Sequence, residues 1–161
     1  MQGNPQMIDR LNELLTLELT SINQYWLHAR ICENWGYERL WKKMREESLG
    51  EMKHADQLVA RVLFLDGLPN LQRYAPLQIG QTVPEIMAAD LANELKAQAL
   101  YNGSVELARS LGDNGSRELL EGILLDTEKH VDWLEAQHTL IEQMGLPNYL
   151  SQQMKKDSQP V

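Results

Sequence analysis

The sequence predicts an all-α fold of four long helices with one long connection between the second and the third. Three features of the 161-residue chain carry this. Apolar residues recur at three- and four-residue steps nearly throughout, no stretch alternates in the strand manner or gathers Val, Ile and Thr, and Gly- and Pro-bearing breaks separate the periodic segments. Met7, Leu11, Leu14, Leu15, Ile22, Tyr25 and Ala29 make one apolar face from about Pro5, a favourable first-turn residue, to about Asn34. Gly36 ends it. Leu40, Met44, Ala55, Leu58, Val62 and Leu65 trace a second helix from about Glu38 to Asp66, stopped by Asp66-Gly67-Leu68-Pro69-Asn70. From Gly67 to Gln81 no helical period is clean, and a linker of that length can carry the chain along the side of a bundle. Thr82-Val83-Pro84-Glu85 is a capping box with Pro in the first turn, opening a third helix that reaches about Leu111. Gly112-Asp113-Asn114-Gly115 is a tight connection to a fourth helix, about Ser116 to Met144. Gly145-Leu146-Pro147-Asn148 ends that helix and leads into a short amphipathic fifth helix, about 147–155, with Tyr149, Leu150 and Met154; Lys155 to Val161 is expected to fray. The reading is one domain over 1–161, with its bundle at about 5–145.

Composition narrows the function. This length supports a core without disulfides or structural zinc, and no segment has the apolar run of a signal peptide or membrane span, which places the protein in the cytoplasm with no membrane partner. The single cysteine, Cys32, has no metal-ligating neighbours and reads as a buried, inert thiol. A formal net charge of -8, from 15 Lys and Arg against 23 Asp and Glu, excludes nucleic acid and points toward cations.

Ionisable residues interrupt the apolar faces. Glu18 lies between Leu14 and Ile22, Glu51 and His54 between Met44 and Leu58, Glu94 between Leu91 and Tyr101, and His130 between Ile123 and Leu134, so all five point inward. A buried carboxylate without a partner costs several kcal/mol, so a cluster of them is expected where a cation compensates. The spacing strengthens this. Glu18 to Glu51 and Glu94 to Thr127 are both 33 residues apart, and a shift of 76 carries Glu18 to Glu94, Tyr25 to Tyr101, Glu51 to Thr127 and His54 to His130. The chain is a pseudo-repeat of two helix pairs. Residues three apart on a helix differ by only about 60° in direction, so Glu51 and His54 can reach one ion, and oxygen with imidazole nitrogen suits iron, manganese or zinc. One carboxylate is missing from the pattern, because position 127 holds threonine.

Four long helices with a single long crossover are the ferritin-like form of the four-helix bundle. The opening MQGNPQMIDRLNELLTLELTSINQYWLHAR, the EMKHADQL block, the LFLDGLPNLQ turn and the closing HVDWLE and MGLPNYL resemble the bacterioferritins across nearly the whole chain. That resemblance implies a shell of 24 subunits that oxidises ferrous iron and stores it as a ferric mineral, with haem b at two-fold interfaces. It maps the family's di-iron ligands onto Glu18, Glu51, His54, Glu94, position 127 and His130, with bridging carboxylates at 51 and 127. It assigns Met52, turned about 100° from the inward face, as the haem ligand shared with a second subunit. By position alone Met52 is one of seven methionines and reads as packing.

The chain departs from the family pattern at Thr127, a weak ligand for a hard cation. Asp126, four residues before His130, can approach the ion directly or through water, whereas Glu128 falls on the solvent side. The family also carries a cavity-side histidine and aspartate where this chain has Glu46 and Gly50; Glu46 and Glu47 read as surface acids able to hold iron loosely or nucleate mineral. Tyr25, Tyr101 and Trp133 lie near the expected centre as packing or as an electron path, and His28 and His138 read as structural or exposed. Three functions compete: a ferroxidase subunit of a homo-oligomeric shell, a haem-carrying storage subunit that co-assembles with a catalytic sister chain, and a small di-iron oxidoreductase that never forms a shell. The resemblance also implies a small ferredoxin as the partner for iron release.

Overall fold

The computed structural model describes residues 1–156. It contains helices α1 (Pro5–Asn34), α2 (Glu38–Phe64), α3 (Val83–Ser110), α4 (Asn114–Met144) and α5 (Leu146–Ser151), and no strand among the described residues. The tail expected to fray lies outside these residues from 157 on. None of the helices is long and apolar enough to cross a membrane.

Helix ends follow the local chemistry. Asn4 caps α1 by accepting from the Gln6 amide at 2.9 Å, with Pro5 in the first turn, and Thr82 caps α3 by accepting from the Glu85 amide. α2 stops two residues short of the expected Asp66. Leu65 is its cap, and Asp66 takes a left-handed φ of 58°, a conformation a short polar side chain tolerates. α4 begins two residues earlier than Ser116, because Asp113 rather than a later residue is its cap: its carboxylate accepts from the Ser116 amide at 3.0 Å and the Ser116 hydroxyl at 2.6 Å. α5 is shorter than expected and ends at Ser151.

Arg61 of α2 donates to Asp113 at 2.7 Å and to the Ser116 hydroxyl at 2.9 Å, so one cap ties α2 to α4. Replacement of Asp113 by alanine removes both the cap and the charged partner, and an equilibrium denaturation is expected to show a loss of about 2–3 kcal/mol. Burial alone would raise the Asp113 carboxyl, but Ser116 and Arg61 outweigh it and hold it below the usual value. Because its folded pKa is depressed, the stabilisation is present above the unfolded pKa of about 3.9 and is lost as pH falls through the folded value. The gap between native and Asp113→Ala proteins should be full at neutral pH and shrink below about pH 4; a constant gap would contradict this account.

The helices pair as α1 with α2 and α3 with α4. The crossover between the pairs is held by polar side chains spaced four apart on α1. Asn12 bonds Leu68 and Asn70, Thr16 accepts from Arg73, Thr20 from the Ala75 amide, Gln24 from the Gln78 amide and His28 from the Gly80 amide. A four-residue step keeps these groups in one row, and the extended chain is laid along it. Gly80 ends the row where the backbone passes so close to α3 that a Cβ would stand 2.3 Å from the Ile86 nitrogen.

Two apolar clusters fill the bundle. One joins Leu11, Leu14, Leu58, Val62, Tyr101 and Leu120; the other joins Tyr25, Leu40, Met44, Ile86, Met87, Leu134 and the α5 residue Tyr149. Cys32 sits in the second, its thiol pushed up to about 12 by burial and then by Asp90. Between the clusters, at positions 18, 47–54, 94 and 127–130 of the four helices, lies a layer of acids and histidines.

Candidate metal centre

All four long helices contribute to this layer. Glu18 comes from α1, Glu51 and His54 from α2, Glu94 from α3, and Thr127 and His130 from α4; all are buried except His130, which is half-buried. The five residues predicted as ligands are brought together. They form two groups, Glu18 with Glu51 and His54, and Glu51 with Glu94 and His130, in each of which the candidate ligand atoms lie within 4.8 Å of one another.

Glu51 belongs to both groups. Its Oε2 is 2.9 Å from His54 Nδ1, and its Oε1 is 3.4 Å from His130 Nδ1. Glu18 Oε2 completes the first group at 3.7 Å from His54 Nδ1, and Glu94 Oε1 the second at 3.2 Å from His130 Nδ1. The imidazoles lie 6.4 Å apart between ring centres, 26° from parallel. Each group has the ligand types and spacing to hold a cation, and Glu51 is common to both.

The tyrosines repeat the pseudo-symmetry. Tyr25 donates to Glu94 at 2.6 Å, and Tyr101 donates to Glu18, so each half of the chain steadies a glutamate of the other half. Burial, and then the neighbouring acids, push both phenols well above their usual range, which keeps them as donors. Their role is therefore more specific than packing. Trp133 is half-buried, with Lys43 over its ring at 5.5 Å.

Charge is balanced by protons as well as geometry. Burial, then the Glu51 charge, pushes Glu18 up to about 8. Burial alone would lower the histidines, but Glu18 and Glu51 raise His54 to about 10, and Glu47, Glu51 and Glu94 raise His130 to about 12. A divalent cation binding at the Nδ1 atoms must displace these protons.

Thr127 is buried in the layer, and its hydroxyl donates back to the Ile123 carbonyl at 3.1 Å. Asp126 does not take its place. Its Oδ2 is 3.3 Å from Nε2 of His54, the ring nitrogen turned away from Glu18 and Glu51, and its Oδ1 accepts from Lys129 at 2.9 Å. Glu128 and Glu46 are exposed. Met52 is 57% exposed and faces out of the bundle. His28 belongs elsewhere: buried, it pairs with Asp90 at 2.9 Å and receives the Gly80 amide on its other nitrogen, while His138 is half-exposed.

Glu47 departs from the sequence expectation. Read as a surface acid, it is 5% exposed and reaches into the layer, with Oε2 2.5 Å from Nε2 of His130 and its other oxygen paired with Lys43. Burial alone would raise its carboxyl, but His130 and Lys43 outweigh burial and hold it below the usual range. The available signal was its position, one helical turn before Glu51 on the same face.

Residues 8–144 match the family described as a ferritin-like domain, the class that the crossed bundle with its central acid and histidine layer already defines. Three relatives, each called a bacterioferritin, match over nearly the full chain. That of Brucella melitensis is 50% identical over 92% of both chains. That of Streptomyces coelicolor is 47% identical over 94% of this chain and 90% of its own, and that of Rhodobacter capsulatus is 45% identical over 90% of both. The chain belongs to the bacterioferritin family.

Proposed function

We propose that this protein is an iron-storage subunit that oxidises ferrous iron in pairs at the centre of its bundle. One observation carries this reading: the two oxygens of Glu51 face different histidines, which divides five candidate ligands, four buried and His130 half-buried, into two sets sharing a carboxylate. Glu18, Glu51 and His54 hold one Fe2+, and Glu51, Glu94 and His130 hold the other. Both ions are substrate: each pair gives up two electrons to dioxygen or peroxide and leaves for the mineral as ferric iron. The threonine at 127 removes one bridging carboxylate, so the pair is held more weakly and oxidised more slowly than a four-carboxylate site would allow.

Association into a shell is supported by the surface. Trp26, Leu49, Met52, Phe64, Leu68, Leu71 and Tyr74 are exposed apolar side chains along α1, α2 and the crossover, more than a lone bundle has reason to expose. We assign them to contacts between copies of the chain in a 24-subunit cage. When purified protein is given Fe2+ in air and passed over a sizing column, iron should elute with a particle of about that many subunits. Elution as a monomer or dimer without iron would remove the storage reading.

The same surface fits haem. Trp26, Trp41, Leu49 and Met52, with Arg30 and Arg45, line an open slot of about 290 Å³, and a thioether beside apolar walls matches the donor chemistry of a low-spin haem shared with a second subunit. Met52, with Trp26 and Trp41 beside it, would hold the haem, which would supply electron-transfer chemistry when bound. A Met52→Leu protein is expected to lose its Soret absorbance while keeping its helical content, and retention of the band would remove Met52 as the ligand. A small ferredoxin is the electron donor that the family resemblance implies.

A second reading rests on Thr127. With a neutral side chain whose proton is already committed to Ile123, the centre is also compatible with a storage subunit that relies on a catalytic sister chain in a mixed shell. The rate of the homopolymer separates the two.

A further inference from the structure

We propose that Glu47 is a positioning residue of this centre, a buried carboxylate on the Nε2 side of His130 that holds the ring with Nδ1 turned to Glu51 and Glu94. The inference rests on reading the layer as a metal centre, and it concerns how a site short of one acid keeps its second ion.

The two histidines are treated alike by the fold, through different residues. His54 presents Nδ1 to Glu51 and meets Asp126 of α4 on Nε2 at 3.3 Å. His130 presents Nδ1 to Glu94 and Glu51 and meets Glu47 of α2 on Nε2 at 2.5 Å. In each case a carboxylate from the other helix pair stands behind the ligand ring. The internal shift of 76 that relates His54 to His130 also relates Asp126 to Gly50, so the pseudo-symmetric partner of His130 should stand at position 50. Gly50 has no side chain to offer. Glu47, three residues earlier on the same side of α2, reaches the place with its longer chain.

The substitute differs in degree of burial. The Asp126 side chain is 48% exposed, whereas that of Glu47 is 5% exposed. Glu47 Oε2 lies within ion-pair range of His130 but out of line for a hydrogen bond, and no other group among the described residues takes it up. A ring held this way can align its Nε2–H with the carboxylate as Nδ1 engages a cation, and carboxylates behind ligand histidines fix the tautomer and raise ligand basicity. Glu47 is not itself a ligand here, since it addresses the nitrogen that faces away from Glu51 and Glu94. Its other oxygen is paired with Lys43, so it acts on the centre through the His130 ring and not as net added charge.

Cobalt(II) tests this without turnover. Ligand-field absorbance during anaerobic titration of the assembled native protein should report two ions per subunit. In Glu47→Gln the Glu18, Glu51 and His54 ion should bind as before and the second should weaken by roughly 10- to 100-fold. The double variant Glu47→Gln/Gly50→Asp should recover the second ion, because a Cβ at position 50 meets nothing within 4 Å and an aspartate there restores the pseudo-symmetric arrangement. Unchanged binding in Glu47→Gln overturns the proposal, as does equal weakening of both ions, or a folded double variant that recovers nothing. If the native protein itself binds no cobalt pair, the reading of the layer as a metal centre fails, an outcome distinct from failure of Glu47 alone.

Discussion

Replacement of Glu51 by glutamine is expected to reduce the initial rate of aerobic iron oxidation by roughly 100-fold or more, equivalent to about 2.7 kcal/mol or more of transition-state stabilisation. The expectation is larger than for any other single ligand because Glu51 is the one residue common to both groups. An amide of the same size keeps the packing between the two apolar clusters, but it offers one neutral oxygen where two charged ones faced His54 and His130 at 2.9 and 3.4 Å. Neither ion then has its charge matched, and the pair is lost. Circular dichroism should be unaltered, since the helices are set by the apolar clusters and not by this layer. A Glu51→Gln protein that oxidises iron as fast as the native one would show that the reaction occurs elsewhere, for example on exposed acids of the surface.

Replacement of Thr127 by glutamate should act in the opposite direction on rate and unfavourably on the metal-free fold. Position 127 is 3% exposed, so a further acid there enters a layer that already holds Glu18, Glu47, Glu51 and Glu94. Without a cation, this added buried acid is expected to cost about 2–4 kcal/mol of stability, limited by its ability to take up a proton. With two Fe2+ present it supplies the second bridge that the pseudo-repeat calls for, and the initial rate should rise by roughly tenfold or more, the effect of about 1.4 kcal/mol or more. Denaturation of the metal-free variant and stopped-flow absorbance of the iron-loaded one read the two effects separately. An unchanged rate would mean that the missing bridge does not limit oxidation in this chain.

Much of this is legible in the sequence. The four long helices follow from apolar residues at helical spacing, and their limits from Pro5, Gly36, the Thr82 capping box and Gly145, because capping and backbone freedom are local properties. The exceptions are local too: Asp66 leaves the helix at a φ that the apolar period of α2 does not register, and Asp113 caps α4 earlier than the Gly115-Ser116 boundary implied. The inward acids and histidines were legible through the 76-residue shift, which makes five ionisable residues one constellation rather than five coincidences.

What sequence reading missed depends on partners distant in the chain. The row from Asn12 to His28 has a four-residue period as clear as any apolar stripe, but its meaning appears only when residues 68–80 lie along it. His28 has no chelating neighbour in sequence and finds Asp90 62 residues away. Glu47 follows the exposed Glu46 and reads in sequence as a surface acid like it, although successive helical residues point about 100° apart and need share neither environment nor role. Its partner His130 lies on another helix, and only packing reveals the pair.

The central claim is that this layer, with three carboxylate ligands, two histidines and Thr127, oxidises iron without help from another kind of subunit. The direct measurement is the initial rise of ferric absorbance after Fe2+ is added in air to the pure homopolymer, at about two ions per subunit, with Glu51→Gln as the reference. A native rate well above that of the variant, saturating at two Fe2+ per subunit, is the result the proposed centre requires. Equal rates for the two proteins would contradict it and leave this chain as a store for iron oxidised by a partner.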